Sequence, residues 1–420
     1  MQAHAPYHIA HIYLDQLSAL PVPDLRRQAS YLVFWWDSVA LGHLFIGTDE
    51  KLSDASFRDK FIAAIRPAVE QYTASMHTKE AHWEELLQHR RYEEWKRWMD
   101  TAMSAWTAAA IPEKVPVSVV ICTRDRASFL QNCLRQLSRL TCLPEEVIVV
   151  DNAPVNDDTK EVVLQFEGVT YVREPRPGLD IARNTGVLSA TMPIVAYTDD
   201  DVEVHPLWVY RVWQTFQDKA VAAMTGLVIA AKLDTEAQLI FEKHWSFNRG
   251  FTDKVYDAVY FNKTLAKGPP VWEIGAGANM AFRKEVLEKV GLFDELLDVG
   301  AAGCNGDSEM WYRILESGHT ILYNPRAVVH HEHRREIEGL KKQIFYYLRG
   351  FTTAALLQQR LRQEAGYKRH LFQVLPPYYM KLIWKGFPFY HFQYRTLWAE
   401  IKGVLSGLAF YIRNRRPASK

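Results

Sequence analysis

Asp199, Asp200 and Asp201 stand in a row at the end of the apolar run Ile194–Tyr197. In an extended chain side chains alternate, so Asp199 and Asp201 share one side and Asp200 takes the other. Such a carboxylate pair suits a hard divalent cation, Mn²⁺ or Mg²⁺, and a cation would also offset the repulsion among adjacent anions. A further carboxylate, Asp307, lies in Asn305-Gly306-Asp307-Ser308-Glu309, just before Met310, Trp311, Ile314 and Leu315. Those four residues form an apolar helical face stopped by Ser317-Gly318, which sets Asp307 near a helix N-terminus. His330, His331 and His333 follow Pro325. In an extended segment His331 and His333 come together, and one of them is a candidate third ligand. Aspartate also caps helices and loops, so chemistry is indicated only if the fold brings these groups to one place.

The elements that would do so alternate between strand and helix. Val117–Cys122, Val147–Val150 and Ile194–Tyr197 read as strands buried on both faces. Phe129, Leu130, Cys133, Leu134, Leu137 and Leu140 form the apolar face of the crossover helix that a parallel pair needs. Each strand ends in polar residues: Thr123-Arg124-Asp125, Asp151-Asn152, and the aspartate run. Open parallel sheets bind ligands at that edge. Pro177–Asn184 reads as a turn entering a helix, whose free N–H groups and Arg183 suit phosphate. The glycine-containing stretch Trp272–Met280 is not a dinucleotide fingerprint. Met280 stands where a small residue is required, and the first strand lacks the motif.

Ile111–Pro116 is a proline-punctuated break. The expected organisation is an N-terminal α+β accessory domain (1–112), an α/β domain (113–335) and a basic, aromatic-rich helical region (336–420). In the first, Tyr31–Trp36 and His43–Ile46 read as strands, and helices are expected near Asp54–Tyr72 and Lys79–Ala110. Tryptophans 83, 95, 98 and 106 recur at roughly helical spacing and read as packing surface. Residues 335–420 carry 16 Lys/Arg against four Asp/Glu, a net +12 in a chain of formal charge +1. With its aromatic residues, that tail suits either an anionic membrane surface or a solvated helical domain. The four cysteines show no C-x-x-C spacing, so neither a disulfide framework nor a thiolate zinc site is expected. The N-terminus lacks a basic-then-apolar leader, and no apolar run approaches the ~20 residues of a membrane-spanning helix. The expected location is cytoplasmic, peripheral at the inner face of the membrane.

In order along the chain stand V-S-V-V-I-C-T-R-D-R, V-I-V-V-D-N, P-G-L-D-I-A-R-N-T-G, Y-T-D-D-D-V-E-V-H-P-L-W, G-A-G-A-N-M-A-F-R-K, V-G-L-F-D-E, G-D-S-E-M-W-Y-R-I-L and Y-N-P-R-A-V-V-H-H-E-H-R. Over roughly residues 116–335 this series resembles the family 2 glycosyltransferases. The resemblance implies an α/β fold of the GT-A type, a Rossmann-like mixed sheet flanked by helices. It also implies a nucleotide-diphosphate-sugar donor (a UDP-sugar foremost), a glycan, polysaccharide or lipid-linked acceptor, a divalent cation, and inversion at the anomeric carbon. Carried over by motif, Thr123, Arg124, Asp151, Arg183, Asn184, Asp199 and Asp200 would contact the nucleotide sugar. Asp199, Asp201 and His331 would hold the metal, with Asp201 the direct ligand, and Asp307 would be the catalytic base. Gly277, Asn279 and Glu309 would belong to the loop around acceptor and donor sugar. Two departures stand at the acceptor side: Gly306 replaces the usual Glu before the base, and Glu309 stands where a second Asp is common. A third, Thr191-Met192-Pro193, lacks a glycine before its strand. The rival reading is a catalytically inactive module that binds a nucleotide sugar or scaffolds an assembly. A nucleotidyltransferase leaves the R-N and G-D-S-E elements without a place, and no nucleic-acid partner is expected.

Overall fold

The computed structural model describes residues 6–20, 29–48, 50, 52–74, 82–107 and 110–414. Its strands are β1 Tyr7–Tyr13, β2 Ala29–Trp36, β3 Val39–Ile46, β4 Lys114–Thr123, β5 Leu143–Asn152, β6 Val169–Glu174, β7 Ile194–Asp199, β8 Val202–Val204, β9 Val221–Ala230, β10 Lys254–Tyr256, β11 Asn279–Arg283 and β12 Thr320–His331. The first three make a small sheet, β1 parallel to β2 and β2 antiparallel to β3. The others form a nine-stranded sheet of order β10-β12-β9-β11-β7-β4-β5-β6, with β8 against β12. Strands β6, β5, β4 and β7 run parallel, whereas β11 is antiparallel to both its neighbours. This is the expected mixed α/β arrangement, a mixed sheet flanked by helices.

The expected strands form because their Val/Ile runs are covered on both faces. Val119, Val120, Ile121, Val149, Val150, Val195 and Ala196 are all fully buried. The helix Ala127–Leu137 supplies the crossover from β4 to β5 and buries Leu130, Cys133, Leu134 and Leu137. The helix Leu179–Ser189 lies close on the opposite face. A Cβ at its Gly186 would stand 2.4 Å from Val120 Cγ1, so only glycine admits that approach.

In the N-terminal part the helix Asp54–Thr73 begins as expected, capped by Ser53. The single helix expected over Lys79–Ala110 is instead two, Trp83–Gln88 and Tyr92–Met103. Arg90, at φ 59°, turns the chain between them in a left-handed conformation that no helix continues through. Residues 79–81, 108 and 109 of that expectation lie outside the described residues. The tryptophans pack. Trp95 is fully buried, Trp98 stacks on Trp83, and Trp106 donates to the Tyr72 carbonyl. The small sheet abuts the large one through Trp35, stacked on His205, and through Arg211, which donates to Ser38 Oγ and the Trp106 carbonyl.

Beyond β12 the chain is helical. Ile337–Leu361 packs along Leu397–Arg413 at Gly403 and Gly407, where any Cβ would stand 2.5 Å from the carbonyls of Phe345 and Arg349. No helix among the described residues is long and apolar enough to cross a membrane.

Asn279 closes the middle of the large sheet. Its Oδ1 accepts from Trp208 Nε1 at 2.9 Å, and its Nδ2 donates to the carbonyls of Leu227 and Ala327 at 3.0 and 2.9 Å. The two carbonyls flank the register shift between β9 and β12. Asn279→Ala would leave three buried groups unpaired at about 1–3 kcal/mol each. The expected outcome is a loss of about 3 kcal/mol or more in urea unfolding. Wild-type stability in that variant would refute this role.

Candidate active site

Strand register builds one side of the site. Cys122 lies opposite Asp199 and Thr123 opposite Asp151, so the polar ends of β4, β5 and β7 form one row. After Asp201 the chain turns back as β8, which pairs antiparallel with β12 and sets Val202 opposite His331. One ligand atom each from Asp199, Asp201 and His331 then fall within 4.8 Å of one another, and His331 Nε2 stands 3.8 Å from Asp201 Oδ1. A cavity of roughly 1270 Å³ opens over this cluster, and its wall includes Asp307, Arg183 and Gly277. Asp307 enters from the helix Gly306–Glu316, which Asn305 starts from a left-handed conformation. Its carboxyl accepts from the backbone N–H of Ser308 at 2.6 Å and from that of Gly277.

Gly277 lies in the cavity wall. A Cβ there would stand 2.7 Å from Arg183 Nη2 and 3.1 Å from Asp307 Oδ2. Thr123 and Asp200 also reach the cavity, but they bond to each other at 2.6 Å. Arg124 sits half-exposed at the rim. The sequence reading overlooked Arg126, which holds Asp200 and Asp201 together at 2.7 Å each. Its signal was the second arginine of T-R-D-R.

Other residues expected at the site have partners within the protein. Asp151 is fully buried beneath the wall, accepting from Tyr171 Oη at 2.9 Å, while its neighbour Asn152 lines the cavity. Arg183 lines the cavity but is first committed to Asp180 and Asp298, at 2.9 and 2.6 Å. Asn184 spends its carboxamide on the backbone N–H and carbonyl of Phe293. Asn279 serves the sheet, and Glu309 is buried against Arg313 one helical turn on, at 2.8 and 2.9 Å. None of Asp151, Asn184, Asn279 and Glu309 is in the cavity wall. Gly306 has a local cause: a Cβ there would stand 2.0 Å from Asp180 Oδ2. A carboxylate from the other side of the site already fills that space.

Burial dominates the electrostatics. It pushes the Asp199 carboxyl up to about 7, with Asp201 acting in the same direction and Arg183 only partly offsetting it. Burial raises Asp200 to about 6 against the pull of Arg126. It would also raise Asp201, but His331 and Arg126 outweigh it and hold that group below the ordinary range. Burial drives His331 down to about 4, against the pull of Asp201, so near neutral pH the imidazole has a lone pair to give. Burial raises Asp307, with Arg183 opposing. Two carboxylates and a neutral imidazole fit a divalent cation such as Mn²⁺, which would supply the counter-charge that Asp199 lacks.

A carboxyl whose affinity for its proton is higher folded than unfolded destabilises the chain when it ionises. The contribution of Asp199 to the stability of the metal-free protein therefore falls as pH rises from the ordinary 3.8 of that group through about 7. Asp199→Asn should raise the melting temperature at about pH 8, the gain vanishing near about pH 4. Mn²⁺ binding by the wild type should tighten between about pH 6 and 8 and be lost in the variant. Calorimetry that finds the same Mn²⁺ affinity across that range would contradict this account.

Residues 118–291 match the family described as Glycosyl transferase family 2. The pre-mycofactocin glycosyltransferase of Mycobacterium tuberculosis is 27% identical over 241 residues, 56% of this chain and 47% of that protein. The chain thus spans about half the length of that relative. Glycosyltransferase AglE of Haloferax volcanii is 27% identical over 234 residues, 54% of this chain and 70% of its own. Among solved structures, the mannosyltransferase PcManGT of Pyrobaculum calidifontis, in complex with GDP-Man and Mn²⁺, aligns with a TM-score of 0.42 at 18% identity. That alignment covers 77% of this chain and 82% of the other. Within this chain, residues 118–291 are the part that is similar to the family 2 glycosyltransferases.

Proposed function

We propose that the chain transfers a sugar, with inversion, from a nucleotide-diphosphate-sugar, a UDP-sugar foremost, to a hydroxyl of a glycan or lipid-linked acceptor. The observation that carries this reading is the convergence of the Asp199, Asp201 and His331 cluster and of Asp307 on one cavity. A divalent cation held by that cluster would neutralise the charge developing on the departing diphosphate. Arg126 holds Asp200 and Asp201 in place through the two 2.7 Å contacts, so the approach to the cluster is fixed before donor enters. Asp307 is the base. It takes the acceptor proton as that oxygen bonds to the anomeric carbon and the bond from carbon to the phosphate oxygen breaks. Its raised proton affinity, caused by burial and checked by Arg183, suits a group that must hold that proton.

The basic tail supports a lipid-borne acceptor. The helix Leu375–Gly386 and the turn after it leave Trp384, Phe387 and Phe389 at 80%, 72% and 74% exposure, with Lys381 and Lys385 alongside. Aromatic residues interleaved with lysine suit the interfacial layer of an anionic bilayer. The cavity wall reaches His370 and Leu375, the root of this helix, so an acceptor anchored in that layer would lie near the reacting groups.

Asp307→Asn should bind nucleotide with Mn²⁺ about as tightly as wild type, yet lose transfer by a factor of ~10² or more. Calorimetry over a panel of nucleotide diphosphates, followed by product analysis, checks both halves. Transfer at the wild-type rate would remove Asp307 from the base role, and nucleotide binding without transfer by the wild type would favour the scaffold reading.

Replacing Trp384, Phe387 and Phe389 together by alanine should reduce co-sedimentation with phosphatidylglycerol-containing vesicles by a factor of ~10 or more. Neutral phosphatidylcholine vesicles should bind either form weakly. Equal binding by the two forms would show that this surface does not meet the membrane.

A further inference from the structure

His331 does not stand alone behind the aspartates. Its Nδ1 lies 3.2 Å from Nδ1 of His333, and Nε2 of His333 lies 2.9 Å from Oε2 of Glu242. The His333 and Glu242 side chains are 1% and 2% exposed, so no water competes for these contacts. Neither residue is in the cavity wall. Their surroundings hold them still. Phe241 packs on the His333 ring at 4.5 Å, and Phe247 meets the His331 ring edge-on at 5.6 Å. Gln238, from the same helix as Glu242, donates to the His333 carbonyl at 3.3 Å. That helix, Glu236–His244, starts from a full capping box at Thr235 and Gln238. From the small N-terminal sheet, the Tyr31 hydroxyl also bonds Glu242.

The chain of contacts has a direction. An ionised carboxylate only accepts hydrogen bonds, so Glu242 takes the Nε2–H of His333. In the tautomer that keeps its lone pair on Nδ1, His333 accepts the Nδ1–H of His331. His331 is left with its lone pair on Nε2, the atom that faces Asp201. We propose that Glu242 and His333 are positioning residues that fix the tautomer and ring orientation of His331 so that Nε2 is presented to a divalent cation beside Asp199 and Asp201. This rests on the cation site proposed above. Partners behind a ligating imidazole typically contribute 10–100-fold to metal affinity, and here the last of them, Glu242, is tied to the N-terminal sheet through Tyr31.

The test uses Mn²⁺ alone with the full chain, free Mn²⁺ being read by its EPR signal and bound Mn²⁺ by pulsed EPR for nitrogen coupling. His333→Phe keeps the ring and removes the acceptor, and Glu242→Leu removes the carboxylate at similar volume. Each should weaken Mn²⁺ binding by roughly 10–100-fold and reduce the nitrogen coupling. Glu242→Gln still offers a carbonyl oxygen to the same N–H and should stay within about threefold of wild type with its nitrogen coupling intact. A merely structural role would not separate Gln from Leu at this position in variants of equal melting temperature. If folded His333→Phe and Glu242→Leu bind Mn²⁺ as wild type does, with unchanged nitrogen coupling, the proposal is overturned. Should wild type itself bind no Mn²⁺, the cation site fails, and this proposal with it. Should wild type bind without nitrogen coupling, the site stands and only the role of His331 and its supports falls.

Discussion

Negative charge gathered out of water is what the rest of this site has to accommodate. Asp180, Asp199, Asp200, Asp201, Asp298 and Asp307 converge on one region, and Arg126 and Arg183 are the cations that answer them directly. Leaving a buried charge uncompensated is costly enough that such groups pair, bind ions or take up protons. Pairing and raised proton affinity are both visible. Asp201 is paired, Asp199 is poised near neutrality, and Asp180 is pushed well above its ordinary range by burial and by Asp298. The close seating of Gly186 and Gly277, and the turn at β8 that brings in His331, are ways of bringing these charges near one another without opening the sheet between them.

The parts legible in the sequence were those whose signal is local and periodic. The Val/Ile runs of β4, β5 and β7 and the polar residues at their ends follow from period-two geometry, whereas Asp200 and Asp201 lie in the turn between β7 and β8. The link between Asp201 and His331 depends on β8 pairing with β12, which joins residues more than a hundred positions apart; only the ordered series of motifs hinted at it. The tryptophan stripe was rightly read as packing, but the break at Arg90 was not foreseen, since nothing in the residue type demands a left-handed backbone there.

The expected site residues that stand outside the cavity wall share one cause. Asn184, Asn279 and Glu309 sit in the motifs and carry polar side chains, yet each is spent on a backbone or side-chain partner that lies far off in sequence or a full helical turn away. A motif records that a residue matters and leaves open whether it faces the cavity or braces the wall behind it. Arg126 and Glu242 are the converse. Each acts on the site through contacts across the fold, and only Arg126, the second arginine of T-R-D-R, has a local pattern to mark it.

Gly306 and Asp180 exclude each other as neighbours: the oxygen of one residue fills the place where the side chain of the other would begin. Viewed as a path through sequence space, this makes the two positions a single heritable choice. A chain that regained a side chain at 306 first would collide with the carboxylate, and one that lost Asp180 first would leave Arg183 with half its partners and a hole beside the helix start. Substitutions at the two positions are therefore expected to be non-additive, as for residues in contact.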